Sequence, residues 1–294
     1  MVDRYLGLHR ADGSLVLELG TMDVDGDPFT ISKLELGALG VREDVEVDET
    51  GDGTVDASSF TDGSGVSCTM RVSAGRGRTA HDWYEELREA LRPAHRHYLH
   101  IGIPDWPERR RVLVRGQDIP RDLSNRTWTD LTVQWKAIDG YLEDTVEREA
   151  RLRPVADTPE GVFAPVEAPV FAPAADVGGQ PPFDVGGRAP AWWYCDIYGD
   201  VRAAPKLTHA DGWQVQGRSD LAIPPGHFVR ILPRSPVGPR VLFDGDPAQD
   251  LYGLVDWAVS SVRPLRPGMN AMQVTAGSYA PGFEALVRWR RRWP

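Results

Sequence analysis

Two segments of this chain alternate apolar and polar residues without a break, and that period of two confines the fold more than any other feature. Over 66–73 (VSCTMRVS), Val66, Cys68, Met70 and Val72 point one way and Ser67, Thr69, Arg71 and Ser73 the other. Over 129–137 (TDLTVQWKA), Leu131, Val133, Trp135 and Ala137 oppose Asp130, Thr132, Gln134 and Lys136. Successive strand side chains face opposite sides of a sheet, so each segment predicts a half-buried strand. A sheet with one wet face is antiparallel by habit.

A single segment, about 80–92, carries helical spacing. Thr79 and Asp82 stand three apart like a capping box, and Trp83, Tyr84, Leu87, Ala90 and Leu91 form one apolar stripe. Pro93 stops the helix. Glu85 with Arg88, and Glu89 with Arg92, add exposed i,i+3 pairs. From 190 onward the apolar segments are short and separated by turn residues: WWYCDIY, APKLTH, FVRILP, RVLFDGD, MQVTA and FEALVRW. That spacing predicts a β-sandwich or jelly roll.

Between these regions, 151–190 holds eight prolines and the runs FAPVEAPVFAPAA and DVGGQPPFDVGGRAP. Repeated X-Pro steps favour extended chain, so the stretch reads as a semi-rigid linker. The predicted organisation is a β-domain over 1–150, a linker over 151–190 and a second β-domain over 191–294. Charge divides at the same place. Residues 1–150 hold 18 basic and 29 acidic side chains, and 151–294 hold 15 and 14, giving the chain its net charge of −10.

That balance argues against general affinity for polyanions. The N-terminal MVDRYLGLHR has no apolar run behind its charges, and no stretch approaches the roughly 18 apolar residues of a membrane span, so a soluble, unsecreted chain with no membrane partner is expected. Cys68 and Cys195 are the only cysteines and lie far apart, which predicts two reduced thiols. Three lysines among 33 basic residues suggest a high-GC coding bias.

No motif assembles a catalytic, cofactor or metal site. The stretch Asp48 to Asp56 echoes a calcium loop, but position twelve is Ser59 in place of the bidentate glutamate, so an acidic loop is expected. Asp23, Asp25 and Asp27 read as a turn built on Gly26 and Pro28. His95 and His97 share a strand face while His100 falls on the other, which leaves no third ligand and predicts solvated histidines. GRGR at 75–78 lacks the spacing and lysine of a phosphate loop.

The C-terminal FEALVRWRRRWP raises the question of a nucleic-acid arm, because arginines and tryptophans interleave there. Alternation places Phe283, Ala285, Val287 and Trp289 on one face and Glu284, Arg288 and Arg290 on the other, which predicts a closing strand whose arginines blunt a free edge.

The phrase LRPGMNAMQV at 265–274, a Pro-Gly turn followed by Asn270 and a strand, together with the terminal Trp-Arg strand, resembles the C-terminal signature of siphophage distal tail proteins. In actinobacteriophages these are often called minor tail proteins. DETGDGTVDASSFTDGSGVSCTMRV, HDWYEELREALRP, HIGIPDWPERRRVLVRG and WTDLTVQWKAIDGYLED follow in the family's order, so the resemblance spans nearly the whole chain. Asp139-Gly140-Tyr141 departs from the family's Asp-Pro-aromatic turn.

The resemblance implies a mainly β protein: an N-terminal tail-tube-like β-sandwich or barrel with one packed helix, and a C-terminal galectin-like β-sandwich. It implies six copies in a ring at the distal end of the virion tail, assembled in the host cytoplasm, with no reaction and no cofactor. The implied partners are the tail tube, tail-tip or baseplate proteins and the tape measure protein, with genome DNA passing through unspecifically. Part of the N-terminal acidic surplus is then expected to line the channel, where like charge keeps DNA from sticking. The rival is a carbohydrate-binding module in which Trp192, Trp193, Tyr194 and Trp213 stack on host sugars. A cell-wall hydrolase is the second rival, and the sequence lacks the titratable cluster it requires.

Overall fold

The computed structural model describes residues 5–20, 27–37, 65–117, 119, 128–138, 140–154, 181–234 and 238–294. The protein is mainly β and divides into two units, Met1–Val146 with Arg292–Pro294, and Glu147–Arg291.

The first unit contains β1 (Tyr5–His9), β2 (Leu15–Glu18), β3 (Phe29–Leu36), β4 (Gly65–Ser73), α1 (Ala80–Ala90), β5 (Arg96–Gly102), β6 (Arg110–Gly116), β7 (Trp128–Ala137) and β8 (Leu142–Asp144). Its antiparallel sheet runs β2-β1-β5-β6-β7-β4-β3, and β8 also pairs with β6. The two alternating segments are neighbours, with Val66 opposite Trp135, Cys68 opposite Val133 and Met70 opposite Leu131. Val66, Cys68, Met70, Val72, Val133, Trp135 and Ala137 are all buried, each larger aliphatic or aromatic side chain among them contributing about 1.5–3 kcal/mol.

Thr79 and Asp82 form the capping box that starts α1, and the helix buries Trp83, Tyr84 and Leu87 in the core of the first unit. Trp83 meets Phe29 edge-on at 5.7 Å. Both i,i+3 ion pairs are present. The helix end sits so close to β6 that a Cβ on Gly116 would lie 2.4 Å from the Leu91 carbonyl oxygen, so only glycine fits there.

The second unit contains β9 (Arg148–Leu152), β10 (Phe183–Asp184), β11 (Trp193–Tyr198), β12 (Val201–Ala203), β13 (Lys206–His209), β14 (Gln214–Gln216), β15 (Phe228–Leu232), β16 (Arg240–Phe243), β17 (Met269–Asn270), β18 (Met272–Thr275), β19 (Ser278–Tyr279) and β20 (Glu284–Trp289). A five-stranded sheet, β16-β15-β11-β20-β9, and a three-stranded sheet, β14-β13-β18, contribute to one core that includes Cys195, Val229 and Val287 from the former and Leu207, Val215 and Val274 from the latter. Two ribbons, β10-β17 and β12-β19, complete the unit. Each of the six apolar segments expected after residue 190 holds a strand. A 3-10 turn at Tyr252–Leu254 is the only helical element there among the described residues. The last strand, β21 (Arg292–Trp293), pairs with β8 and so belongs to the first unit.

The units divide four residues earlier than the expected boundary, after Val146, because Arg148–Leu152 is already a strand of the second sheet, paired along β20. The far end of the expected linker, 181–190, also belongs to the second unit, and 155–180 lies outside the described residues. Arginines 288 and 290 do not guard a free edge: β20 lies between β11 and β9 in the interior of its sheet.

Candidate interaction surfaces

On one face of the five-stranded sheet a row of charges crosses four strands. Asp196 of β11 is directly opposite Arg230 of β15, and Arg288 of β20 is opposite Glu149 of β9. Arg230 donates from Nε and Nη2 to the two Asp196 oxygens at 2.6 and 2.8 Å, and Arg288 donates from Nη1 to Oδ2 at 2.6 Å and from Nε to Glu149 at 3.3 Å. The Asp196 side chain is fully buried, so the centre of this alternating row is desolvated, while Glu149 at its end is exposed. The bond to Asp196 raises the Arg230 pKa, although burial opposes it. Burial likewise opposes the Arg288 charge, but Tyr194, Asp196 and Glu149 together hold its pKa above the ordinary value. Tyr194, half-buried and donating to Glu147, is pushed up to about 12. Nothing in YCDIY announces this site: Asp196 occupies the polar phase of an ordinary amphipathic strand, and only the register shows the two arginines converging on it.

The Pro-Gly turn of LRPGMNAMQV is held from inside. Asn270 is buried and donates from Nδ2 to the carbonyls of Arg266 and Gly268 at 2.8 and 2.9 Å. His209 Nδ1 accepts from the Asp211 amide, which leaves the ring proton on Nε2 to donate to Asn270 Oδ1 at 3.1 Å. The same ring stacks on Trp213 at 4.7 Å, and Trp213 stacks on Trp193 at 5.3 Å. Trp193 and Trp213 are core residues, each 3% exposed, and Trp193 donates to the Arg263 carbonyl. Trp192 faces the Arg234 guanidinium at 5.7 Å.

The terminal arginines have partners within the protein. Arg290 pairs with Glu147 at 3.5 Å, and Arg292 is 3% exposed, lies over Tyr141 at 4.3 Å and pairs with Glu143. Trp293 donates to buried Asp144 at 2.9 Å, and the Arg110 guanidinium lies over both Trp293 and Trp106 at 4.2 and 4.3 Å. The interleaved Trp and Arg thus close a strand pairing and an aromatic–cation stack. They do not form a free arm.

The histidines differ from the expected solvated set. His97 follows Leu99 and Ile101 onto the core face and is buried, and desolvation lowers its pKa, against an opposing backbone hydrogen bond at Ala90. His100 stacks on His9 at 3.8 Å on the opposite face. Among the described residues no three His, Cys, Asp or Glu side chains are placed to hold a metal ion. Asp27 accepts from Arg76 of the GRGR turn at 2.6 Å, and Arg78 of that turn lies over Trp83 and pairs with Glu86. Asp23, Asp25 and 48–59 lie outside the described residues. Cys68 and Cys195 are buried free thiols, and burial pushes the Cys68 pKa up to about 12.

Charge is distributed differently from the two sequence halves. Of the first unit's 27 acidic and 18 basic residues, 14 acidic and four basic fall outside the described residues, leaving 13 acidic and 14 basic in the described body. Residues 38–64 alone hold eight acidic side chains and one arginine.

Two β-rich units, one with a helix packed on its sheet and one built of two sheets around a core, define the fold seen in phage tail hubs. The SPP1 Dit protein, described as a paradigm of the hub adsorption apparatus in phages infecting Gram-positive bacteria, aligns with a TM-score of 0.58 and 12% identity over 99% of each chain. A chain of the phage P2 baseplate in its activated conformation with Ca aligns at 0.52 and 12% identity, over 99% of this chain and 98% of that one. The same baseplate with Sr gives 0.51 and 11%, covering 98% of both chains. No protein-family model and no curated protein matches the sequence. The mainly β fold implied by the resemblance to distal tail proteins is therefore found in the described residues, and it is shared with hub and baseplate chains at 11–12% identity.

Proposed function

We propose that the protein is a distal tail hub: six copies close into a ring that joins the tail tube to tip or baseplate proteins and leaves a channel for DNA. The observation that supports this most is that single hub and baseplate chains align with both units, end to end. In this reading the first unit, near residues 1–150, forms the ring and the second is a galectin-like domain facing the tip. The number six follows the resemblance to distal tail proteins, and a heterologous interface that closes on itself is what would make such a ring. The role is structural and involves no reaction. Tube, tip and tape measure proteins are its partners, and its place is the distal end of the virion tail.

A sugar-binding module would need aromatic platforms, and burial of Trp193 and Trp213 removes two of the four candidates. Light scattering on the full-length protein, with negative-stain images of the same fraction, tests the ring. A particle of six times the chain mass with an open centre is expected. A chain that stays monomeric and also fails to bind purified tail tubes overturns the proposal.

A further inference from the structure

A second charged row crosses the first unit's sheet, and all its charges have one sign. Arg96 of β5 is directly opposite Arg115 of β6, and Arg115 is directly opposite Lys136 of β7. All three are exposed. Strands lie about 4.8 Å apart, so three cations stand in line over roughly 10 Å. Like charges directly opposite on neighbouring strands destabilise a sheet. The other cations of this face are neutralised locally, Lys33 by Glu35, Arg71 by Asp130 and Arg111 by Glu143, whereas no carboxylate lies within ion-pair reach of Arg96, Arg115 or Lys136 among the described residues.

We infer that this outer face of β5, β6 and β7 is a contact surface for the phosphate backbone of nucleic acid, seated on Arg96, Arg115 and Lys136. The surroundings select that partner over an acidic protein. Beside the row lie exposed Gln117, Gln134 and Thr132, with Thr69 and Ser67 on the adjacent strand, which are the amide and hydroxyl side chains that bond phosphate oxygens. The unit's exposed large apolar side chains, Leu15 and Val146, lie on other elements, and Tyr98 and Leu113, the apolar pair next to the row, are half-buried, so the face presents no exposed large apolar side chain. A polar, positive, unpaired surface is what nucleic-acid interfaces present. The hub reading supplies only the source of the polyanion, the passing genome; the surface itself rests on register and pairing.

The test is fluorescence anisotropy of a labelled duplex of random sequence with the full-length protein, titrated across salt. Three phosphate contacts give a slope of about −2.7 in log affinity against log salt, or about fortyfold weaker binding at 200 mM than at 50 mM. The triple variant Arg96→Gln, Arg115→Gln, Lys136→Gln is expected to lose that slope and bind at least about tenfold more weakly at 50 mM, while Lys33→Gln and Arg71→Gln, which remove already paired cations, leave it unchanged. Failure of the wild type to bind at the lower salt, equal binding by the triple variant, or preference for polyglutamate over DNA each overturns the inference. The triple variant should melt at or above the wild-type temperature, since repulsion is relieved; a lower melting temperature also overturns it. Light scattering and tail-tube binding on the same samples separate the two readings, because DNA binding by a chain that neither forms rings nor binds tail tubes retains the surface and sinks the ring, and a ring that ignores DNA does the reverse.

Discussion

The two units each carry a charged row across their strands, stepped by two residues between β11 and β20 in the second unit, and the rows obey opposite rules. In the second unit the signs alternate, Glu149, Arg288, Asp196, Arg230, and the central carboxylate is fully buried. In the first unit Arg96, Arg115 and Lys136 share one sign and remain exposed. Cross-strand neighbours at strand spacing attract in one case and repel in the other. The alternating row holds a sheet in register; the like-charged row works against its sheet, and its value must come from something it contacts.

The largest expected effect breaks the alternating row at its centre. Asp196→Asn leaves Arg230 and Arg288 with a neutral partner in a desolvated site, and loss of one member of a buried pair costs about 3–5 kcal/mol. Chemical denaturation followed by hydrogen exchange on β11, β15 and β20 checks this. Glu149→Gln should change stability by less than about 1 kcal/mol, because its side chain is 55% exposed and screened by water. Equal effects of the two variants would mean that burial does not govern the row.

Second in size is deletion of Arg292–Pro294. It removes the pairing of β21 with β8 and leaves Asp144, 1% exposed, without the indole donor of Trp293. A buried acceptor losing one of its donors costs up to about 1–3 kcal/mol. The loss should show as faster exchange in β6 and β8, with β11, β15 and β20 unchanged. Faster exchange in the second unit instead would show that the terminal strand serves a different body from the one it pairs with.

A smaller effect depends on acid. Burial lowers the His97 pKa below its usual 6.5, so the unfolded chain takes up the proton first. The stability tied to a neutral His97 is complete above about pH 6.5 and declines as pH falls from there through the lowered folded value. Thermal melts at pH 7.5 and pH 5 should differ more for the wild type than for His97→Gln. An identical pH response in the variant would exclude His97 as the source.

How much of this is legible in the sequence follows from the range of each interaction. The strands over 66–73 and 129–137 and the cap at Thr79 are local patterns, and each forms where its pattern lies. Alternation misreads His97 because it counts faces without saying which face is buried. The rows escape it for a further reason: Asp196 meets Arg288 across 92 residues and Arg230 across 34, so their meeting is a property of register. Asn270 stands in a visible motif, yet its role as the internal lock of the Pro-Gly turn needs His209, 61 residues away.

The smallest effect is the sharpest test of the comparison, because it rewrites one row in the style of the other. Arg115→Glu sets a carboxylate between Arg96 and Lys136, which gives this row the alternating signs of the second unit's, at an exposed site that needs no repacking. If register is all that matters, two repulsive cross-strand contacts become attractive ones and the first unit gains roughly 0.2–1 kcal/mol for each. Denaturant midpoints at low salt read the gain, which should shrink as salt screens it. The same substitution should abolish the salt-dependent DNA binding, since the centre of the row then repels phosphate. Stability and binding moving in opposite directions would show that the wild-type row holds its cations against the preference of its own sheet. A stability that fell, or binding that survived, would mean that the neighbouring strands accommodate like charge without cost, and the contrast between the two units would lose its physical meaning.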